Sequence, residues 1–448
     1  MTSATAQQLL RQLLVDGSAE RPLVDIGSSA VSGLRHPNPF SARAARRLAH
    51  PVQHTRLLDT AEAIALGSDT VRAGWVFGGT ALDGAGTFTD PAGVRWTWSE
   101  GQPIPLGHPL ELAGVRGIRR HPRPVWVPAD GATPLTVPDT SGGQIVVVEP
   151  PCPGMLELSM ALRNPWQFLH DITDGWRIAG ALLDWSLETL IEAYGAVIRQ
   201  LPVHPDLVVY PDLLGFRAGM YLSVADFRAQ LRPRLRILLA QIRELTDAPV
   251  LLRCHGAVGA VVADLASLEP GLLHLERNAA GVDVRRVRRT VPEHTALHGV
   301  TDLVRLGRAL AEGDRATAAA ETLLLARAWP AMAAPAGIVD AAVPAEVLSL
   351  AARFLRGLTP DLLQRLRGGE DAQQVLAGQL AAVTEPAAVT EPAAGNGDDP
   401  EYAVVAAAAT GTAEVDVRDG SDQARQIIPG WFHNRPRSAD GKVEFDEI

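Results

Sequence analysis

Short apolar segments rich in β-branched residues recur along the middle of the chain, each bounded by Gly, Pro or polar residues. The first is "QIVVVE" at 144–149, and "PDLVVYPD" at 205–212 and "APVLLRCHG" at 248–256 follow it. A fourth, "GLLHLERN", lies at 271–278. Continuous apolar runs of this length are typical of strands that are buried on both faces of a sheet. We therefore predict four buried strands in this region.

Segments with apolar residues three and four positions apart lie between these strands and predict helices. One covers 160–201 and another 223–247, where Ser223 is a candidate N-cap and Pro233 predicts a kink or a break. Strands that alternate with helical crossovers form parallel α/β sheets. The repeat predicts a (β/α)8 TIM barrel. A doubly wound sheet is the alternative, although no Gly-rich dinucleotide turn follows a strand.

The character of the chain changes on both sides of this region. Residues 1–140 are rich in Pro, Gly and Trp, and we interpret them as an irregular opening or cap of a barrel domain that covers 1–360. Residues 361–400 predict a short helical end followed by an Ala/Pro/Glu linker with a tandem AAVTEP repeat. Residues 401–448 predict a flexible C-terminal extension, either a partly disordered tail or a segment that docks on a partner protein.

Composition and charge exclude several classes of protein. The chain has 448 residues, of which 46% are hydrophobic, and this is ample for a large core. The net charge of -10 argues against a general nucleic-acid surface. Two cysteines in a chain of this length favour a reducing compartment over a disulfide framework. No leader and no membrane-spanning run stands out, so we expect a cytoplasmic protein without a membrane partner.

The distribution of lysine removes some chemistry. Lys442 is the only lysine, and every other basic residue apart from histidine is an arginine. A Schiff-base lysine in the body of the protein is therefore excluded, and with it lysine aldolases and ordinary PLP enzymes. A P-loop needs its lysine as well. Arginines, histidines and carboxylates remain as the candidate chemical groups.

Several segments between about residues 20 and 360 carry a family resemblance when they are taken in order. They are "LVDIGSSAVSGL" (23–34), "GTFTDPAGVRWTW…HPLELAGVRGIRRHPRP" (86–124), "PGMLELSMALRNPWQFLHDI" (153–172), "YPDLLGFRAGMYLSVADFRAQLRPRL" (210–235) and "VLLRCHGAV" (250–258). Together they resemble the uroporphyrinogen decarboxylase superfamily, in particular its methyltransferase-like branch. The resemblance implies a TIM barrel, in agreement with the alternation of strands and helices.

The resemblance also implies a metal, and here the sequence departs from it. The methyltransferases of the superfamily use zinc to lower the pKa of a thiol, with ligands from "H-x-C-G" and a later Cys. Aligning the glycine on Gly256 puts Arg253 at the His position and His255 at the Cys position. Ala336 stands near the position of the later Cys. We therefore do not expect zinc, and the cofactor stays open. A corrinoid carried by a partner protein is what the resemblance implies for a methyl donor.

Strand geometry separates the three residues that precede Gly256. Residues two apart share a face of a strand, so Arg253 and His255 point into the barrel when Cys254 points outward. A one-residue slip would exchange the faces. In that case Cys254, His255 and Cys152 could form a Cys-His-Cys metal cluster, although their spacing matches no compact zinc motif.

Other candidate site residues follow the carboxyl ends of strands, where TIM barrels carry their active sites. Asp212 matches an aspartate that faces the substrate in the decarboxylases, and a helix cap or an arginine-paired aspartate is the alternative. Arg217 could bind a carboxylate or a phosphate through two hydrogen bonds. Glu276 lies at the next strand end beside Arg277, with which it could form an ordinary ion pair.

His298 and Asp302 follow a later strand, at the position of a "G-G-x-D" element of the superfamily. They could act as a base and the group that orients it, and a structural histidine is the alternative. We therefore expect an enzyme that acts on an anionic small molecule by methyl transfer or decarboxylation. Its catalytic residues are Asp212, His255 and His298, and its substrate-binding residues are Arg217, Arg253, Glu276 and Asp302.

Two further interpretations remain open. The exchanged zinc ligands allow a non-catalytic scaffold that acts through its C-terminal tail. A uroporphyrinogen decarboxylase proper is less favoured, because the chain has no "M-R-Q-A-G-R-Y" motif near its N-terminus. That activity would need Arg35, Arg43 or Arg46 to line the pocket. A polar, convergent pocket would favour an enzyme over a scaffold.

Overall fold

A computed structural model describes most of the region between residues 4 and 384. The described ranges are 4–26, 34–35, 64–75, 87–99, 102–124, 135–136, 142–150, 152–174, 176–335, 339–340 and 343–384. The predicted tail 401–448, Arg43, Arg46 and the side chain of Arg35 lie outside the described residues. No helix in these ranges is both long enough and apolar enough to cross a membrane.

Parallel strands form the centre of the molecule. In chain order the strands are β1 (Leu23–Val24), β2 (Leu34–Arg35), β3 (Thr70–Trp75), β4 (Thr87–Thr89), β5 (Arg95–Ser99), β6 (Gln102–Gly107), β7 (Leu135–Thr136), β8 (Ile145–Val148), β9 (Leu207–Leu213), β10 (Gly215–Phe216), β11 (Gly219–Met220), β12 (Val250–His255), β13 (Leu272–Leu275), β14 (Ala296–His298), β15 (Ala331–Ala333) and β16 (Val339–Asp340). Eight of them, in the spatial order β1-β15-β14-β13-β12-β9-β8-β3, run parallel.

The eight parallel strands form a nearly closed barrel. The gap between β1 and β3 is bridged by the Asp69 N–H, which donates to the Val24 carbonyl at 2.7 Å, and by the Ile26 N–H, which donates to the Ser68 hydroxyl at 3.0 Å. The (β/α)8 TIM barrel predicted from the alternation of strands and helices is therefore confirmed. The short strand β7 pairs antiparallel with β3, and β4, β5 and β6 form a separate antiparallel sheet.

Helices cover the outside of the barrel. They are α1 (Ala6–Val15), α2 (Val115–Arg120), α3 (Met155–Arg163), α4 (Pro165–Thr173), α5 (Trp176–Gln200), α6 (Val224–Asp226), α7 (Arg232–Leu245), α8 (Val262–Ala266), α9 (Val284–Thr290), α10 (Leu303–Glu312), α11 (Arg315–Ala328), α12 (Ala345–Arg356), α13 (Pro360–Arg367), α14 (Ala372–Val375) and α15 (Ala377–Thr384). The last three lie between residues 360 and 384.

The helical patterns are broken more often than the apolar spacing suggests. The stretch 160–201 contains α3, α4 and α5, because Pro165 cannot continue the ladder of α3 and Asn164 turns the chain with a φ of 79°. Ser223 caps α6 as predicted, since its hydroxyl accepts a hydrogen bond from the Asp226 N–H at 3.0 Å. A π-helical turn then leads into α7, where Pro233 occupies the first turn.

The four predicted strands are observed as β8, β9, β12 and β13, and both of their faces are buried. In β8 all four side chains, Ile145 to Val148, are buried. Alternate residues point to the helices outside and to the interior inside. Residues 1–140, interpreted above as an irregular cap, contribute two strands of the barrel itself, β1 and β3.

Candidate functional site

A layer of polar side chains lies inside the barrel near the carboxyl ends of the strands. Its members come from or directly follow six parallel strands and are all buried: Asp25, Arg72, Glu149, Arg253, His274 and His298. The strand register places the last three on one face, because Arg253 pairs with His274 and His274 with His298. In TIM barrels the active site lies at this end.

Four of these side chains form a row of alternating charge. Arg72 Nη2 donates to Asp25 Oδ2 at 2.9 Å, and Arg72 Nε lies 3.3 Å from Glu149 Oε1. Arg253 Nη1 donates to the same Glu149 oxygen at 3.3 Å. Burial alone would raise the pKa of Asp25, but the charge of Arg72 and the hydrogen bond from His298 hold it well below its usual range. The charges of two carboxylates and two guanidinium groups thus cancel.

Two histidines extend this row to the opposite side. His298 Nε2 is 2.9 Å from Asp25 Oδ2, and His298 Nδ1 is 2.8 Å from His274 Nδ1. Gly299, with a φ of 73°, leaves room for the second ring, since a Cβ at that position would lie 2.2 Å from His274 Cε1. The His274 ring is therefore closely confined.

Arg253 presents one edge of its guanidinium group without a partner. Among the described residues, neither its Nε nor its Nη2 has a hydrogen-bond acceptor, although the side chain is only 1% exposed. These two nitrogens are the side-on fork that binds a carboxylate or a phosphate through two parallel bonds. His274 Nε2 and Glu149 Oε2 likewise lack partners in the described part of the chain. Buried polar groups without partners are costly, which points to a ligand.

His255 lies at the mouth of the barrel, on the same face as Arg253, as the alternation of β12 predicts. Its ring centroid is 6.2 Å from that of His274. Burial and the positive charge of Arg253 lower the pKa of His255 to about 3. The imidazole is therefore neutral at physiological pH.

Asp212 faces the helices and not the interior. Its carboxylate accepts hydrogen bonds from the Leu156 and Glu157 N–H groups at 3.1 Å and from the Tyr210 hydroxyl at 2.6 Å. Gly154, which precedes α3, has no side chain to cap that helix. Asp212 thus caps the N-terminus of α3. A helix cap was the alternative to a substrate-facing role for this aspartate.

Glu157, which the sequence did not single out, lies in the first turn of α3. Burial and the neighbouring charge of Asp212 raise its pKa to about 8, against a smaller opposing effect of Arg253. A carboxyl group that keeps its proton at neutral pH can donate a hydrogen bond or a proton. Burial, and to a lesser extent the nearby carboxyl groups of Glu157 and Glu276, raises the pKa of Tyr221, in the loop after β11.

Arg217 and Glu276 meet at the rim. Arg217 Nε lies 3.5 Å from Glu276 Oε1, and the guanidinium group is largely exposed. The other oxygen of Glu276 accepts the Gly256 N–H at 3.2 Å. Glu276 therefore pairs with Arg217 and fixes the end of β12, whereas Arg277 pairs with a different residue, Glu321, at 2.8 Å.

Asp302 takes the role of a helix cap. Its Oδ1 accepts hydrogen bonds from the Val304 and Arg305 N–H groups at 3.1 and 3.2 Å, at the start of α10. It makes no bond to His298 among the described contacts, because His298 is oriented by Asp25 instead. The structure thus separates the pair that the sequence placed together.

The cysteines do not assemble a zinc site with these residues. Cys254 lies on the outer face of β12, and both it and Cys152 are buried. Burial raises the pKa of both thiols. Within the described ranges, no three His, Cys, Asp or Glu side chains are grouped so as to hold a metal ion. Arg253, which the resemblance aligns with a zinc-ligating His, offers only hydrogen-bond donors. In the part of the chain that the structure describes, these side chains do not form a site that fits zinc.

The site residues that the sequence analysis did not single out are polar residues within a buried strand or directly after one. Arg72 and His274 are polar residues at inward positions of otherwise apolar strands, while Asp25 and Glu149 directly follow strand ends. A polar residue within a buried strand indicates a partner, but the sequence does not say which. Asp25 and Arg72 lie 47 positions apart, so no local spacing connects them.

The structure thus defines a (β/α)8 barrel with a charged and histidine-rich interior at its carboxyl end. It is similar to a solved methyltransferase from Methanosarcina mazei, with a TM-score of 0.53, 16% sequence identity and coverage of 79% of this chain and 98% of that one. At this identity the likeness shows the fold alone. A nitroalkane oxidase from Streptomyces ansochromogenes has a TM-score of 0.18 and carries no argument. No protein-family model and no curated protein matches the sequence.

Proposed function

We propose that the chain is an enzyme of the uroporphyrinogen decarboxylase type that transfers a methyl group to an anionic small molecule bound at Arg253. One observation carries this proposal, the free Nε–Nη2 edge of a guanidinium group that is almost completely buried. A buried arginine edge of this kind needs an anion to complete its hydrogen bonds. The barrel's likeness to a methyltransferase supports methyl transfer as the reaction.

The residues around Arg253 support this role. Glu149 accepts a bond from Arg253 Nη1 and so fixes the guanidinium plane, leaving the opposite edge for the ligand. Protonated Glu157 and neutral His255 lie at the mouth and add no charge there at neutral pH. Arg217, exposed on the rim, would attract an anion toward the barrel. A corrinoid on a separate protein remains our proposal for the methyl donor.

The polar interior favours an enzyme over a non-catalytic scaffold. A scaffold has no need for buried, unpartnered groups inside its barrel, and apolar side chains would fill that space more stably. Here His255, His274 and Arg253 converge on the interior from two neighbouring strands, β12 and β13.

The test is a transfer assay with methylcobalamin as the methyl donor. The purified full chain is incubated with a panel of small carboxylic, sulfonic and phosphonic acids, and mass spectrometry detects methylated products. Arg253→Gln should reduce the rate about thirtyfold or more, since two charge-assisted hydrogen bonds contribute about 2 kcal/mol or more. Arg365→Gln, in an exposed ion pair with Glu370, is the matched control and should leave the rate unchanged.

Two outcomes would contradict the proposal. One is a rate that Arg253→Gln leaves unchanged. The other is release of carbon dioxide from an acid of the panel without any methylated product, which would replace methyl transfer by decarboxylation.

A further inference from the structure

The hydrogen bonds inside the barrel determine which nitrogen of each histidine carries a proton. Asp25 is ionised and accepts a hydrogen bond, so His298 Nε2 must be the donor in the 2.9 Å contact between them. The row formed by Asp25, Arg72, Glu149 and Arg253 is already neutral. A proton on both nitrogens of His298 would add an uncompensated buried charge, which is strongly unfavourable. His298 is therefore a neutral imidazole with a bare Nδ1.

The proton position in His298 also determines the proton position in His274. His298 Nδ1 has only a lone pair, so in the 2.8 Å contact His274 Nδ1 must be the donor. Burial, together with the positive charge of Arg253, keeps His274 neutral, because it lowers the pKa of the imidazole well below the usual range. The proton of neutral His274 thus sits on Nδ1, and its Nε2 is a lone pair. That nitrogen has no partner among the described residues.

We propose that His274 Nε2 is the hydrogen-bond acceptor of the site, and that the substrate is an acid with an O–H, S–H or N–H group next to its anionic group. The inference rests on the proposed function, since it assumes an anion at Arg253. Arg253 and His274 are partners on adjacent parallel strands and share the inner face. Their Cα atoms are therefore about 5 Å apart, so one small molecule can reach both.

This arrangement also assigns the proton in the proposed reaction. A bond forms between the O, S or N atom of the substrate and the methyl carbon. The bond between that carbon and the methyl donor breaks, and its electron pair stays on the donor. The proton that the substrate atom carried passes to His274 Nε2. Asp25 and His298 act as positioning residues, because they hold the tautomer that keeps Nε2 free.

The first test reads the tautomers directly in the full chain labelled with ¹⁵N. Long-range ¹H–¹⁵N correlations should show His274 with its proton on Nδ1 and His298 with its proton on Nε2. His274→Asn assigns the resonances, because the Asn side-chain amide can still donate to His298. His204→Asn, at an exposed histidine, is the control for assignment. A His274 that carries its proton on Nε2 would overturn the inference.

The second test uses the wild-type chain alone and does not depend on a variant that folds. Glycolate and acetate differ by the hydroxyl group next to the carboxylate. Glycolate should bind about tenfold more tightly and shift the His274 Nε2 resonance, whereas acetate should leave that resonance in place. Equal binding of the two acids would overturn the inference while the anion site stands. If neither acid binds, the inference and the proposed anion site fail together.

Discussion

A single side chain, Arg253, changes the chemistry that this barrel can support. At the position where the resemblance implies a zinc-ligating histidine, the structure has a guanidinium group with five donors and no lone pair. Such a group binds anions and not metal ions. Burial lowers the pKa of its neighbours His255 and His274, and the positive charge of Arg253 adds to this effect, so both rings are neutral. The inner face of β12 and β13 thus presents the hydrogen-bond donors of Arg253 beside two neutral imidazoles.

Glu157 leads to a pH-dependent prediction at the same scale. Its pKa is about 8 in the folded chain, against an ordinary value of 4.5. Between these values the folded state keeps a proton that the unfolded state has lost, so the free energy of unfolding falls as the pH rises. From pH 5 to 9 the wild type should lose about 2 kcal/mol more than Glu157→Gln, a figure lowered from the full shift because Glu157 is partly exposed. Urea titrations at several pH values measure this difference.

The matched control is Glu188→Gln, at a glutamate that is 57% exposed. That variant should follow the wild type at every pH. A Glu157→Gln chain with the same pH slope as the wild type would show that the carboxyl group titrates normally.

At the scale of elements, the strands were easier to predict than the breaks between helices. The apolar runs of β8, β9, β12 and β13 are continuous because both of their faces are buried. In "TVRAGW" the inward Arg72 interrupts the apolar run, and the pattern therefore does not predict β3. Helix ends depend on single residues, such as Asn164 at a positive φ, which apolar spacing does not reveal.

Asn164 gives the prediction for this scale. Its side-chain oxygen accepts the Trp166 N–H at 3.0 Å and so caps α4, while its φ of 79° suits Gly or Asn. Asn164→Ala should lose both contributions and lower the free energy of unfolding by about 2 kcal/mol. Asn164→Gly keeps the backbone freedom and should cost less. Chemical denaturation of the three chains measures the order, and equal stability of the Ala and Gly variants would exclude backbone strain as the cause.

For the whole molecule, closure of the barrel depends on groups that are far apart in the sequence. Asp69, at the start of β3, accepts two hydrogen bonds from Arg21 at 2.8 Å, one from Arg356 at 2.8 Å and one from the Val24 N–H at 2.9 Å. It therefore ties β1, β3 and α12 together. The alternation of elements predicted the barrel, but only the folded chain shows which charges close it.

Asp69→Asn tests this closure. An amide removes the charge that faces two arginines and should lower the free energy of unfolding by about 3 kcal/mol, because a buried carboxylate with several donors is lost. Thermal and urea unfolding measure the change. Glu370→Gln breaks an exposed ion pair with Arg365 and should cost less than about 0.5 kcal/mol. Similar losses in both variants would contradict a special role for Asp69.

The burial of both cysteines has a practical consequence. Cys152 lies near the carboxyl end of β8 and Cys254 beneath the helices outside β12, and these are the only thiols in the chain. A thiol reagent can reach either one only when the structure around it opens. The two labelling rates therefore report, on the unmodified protein, how often the mouth and the outer wall of the barrel open, and whether a bound acid slows the first without slowing the second.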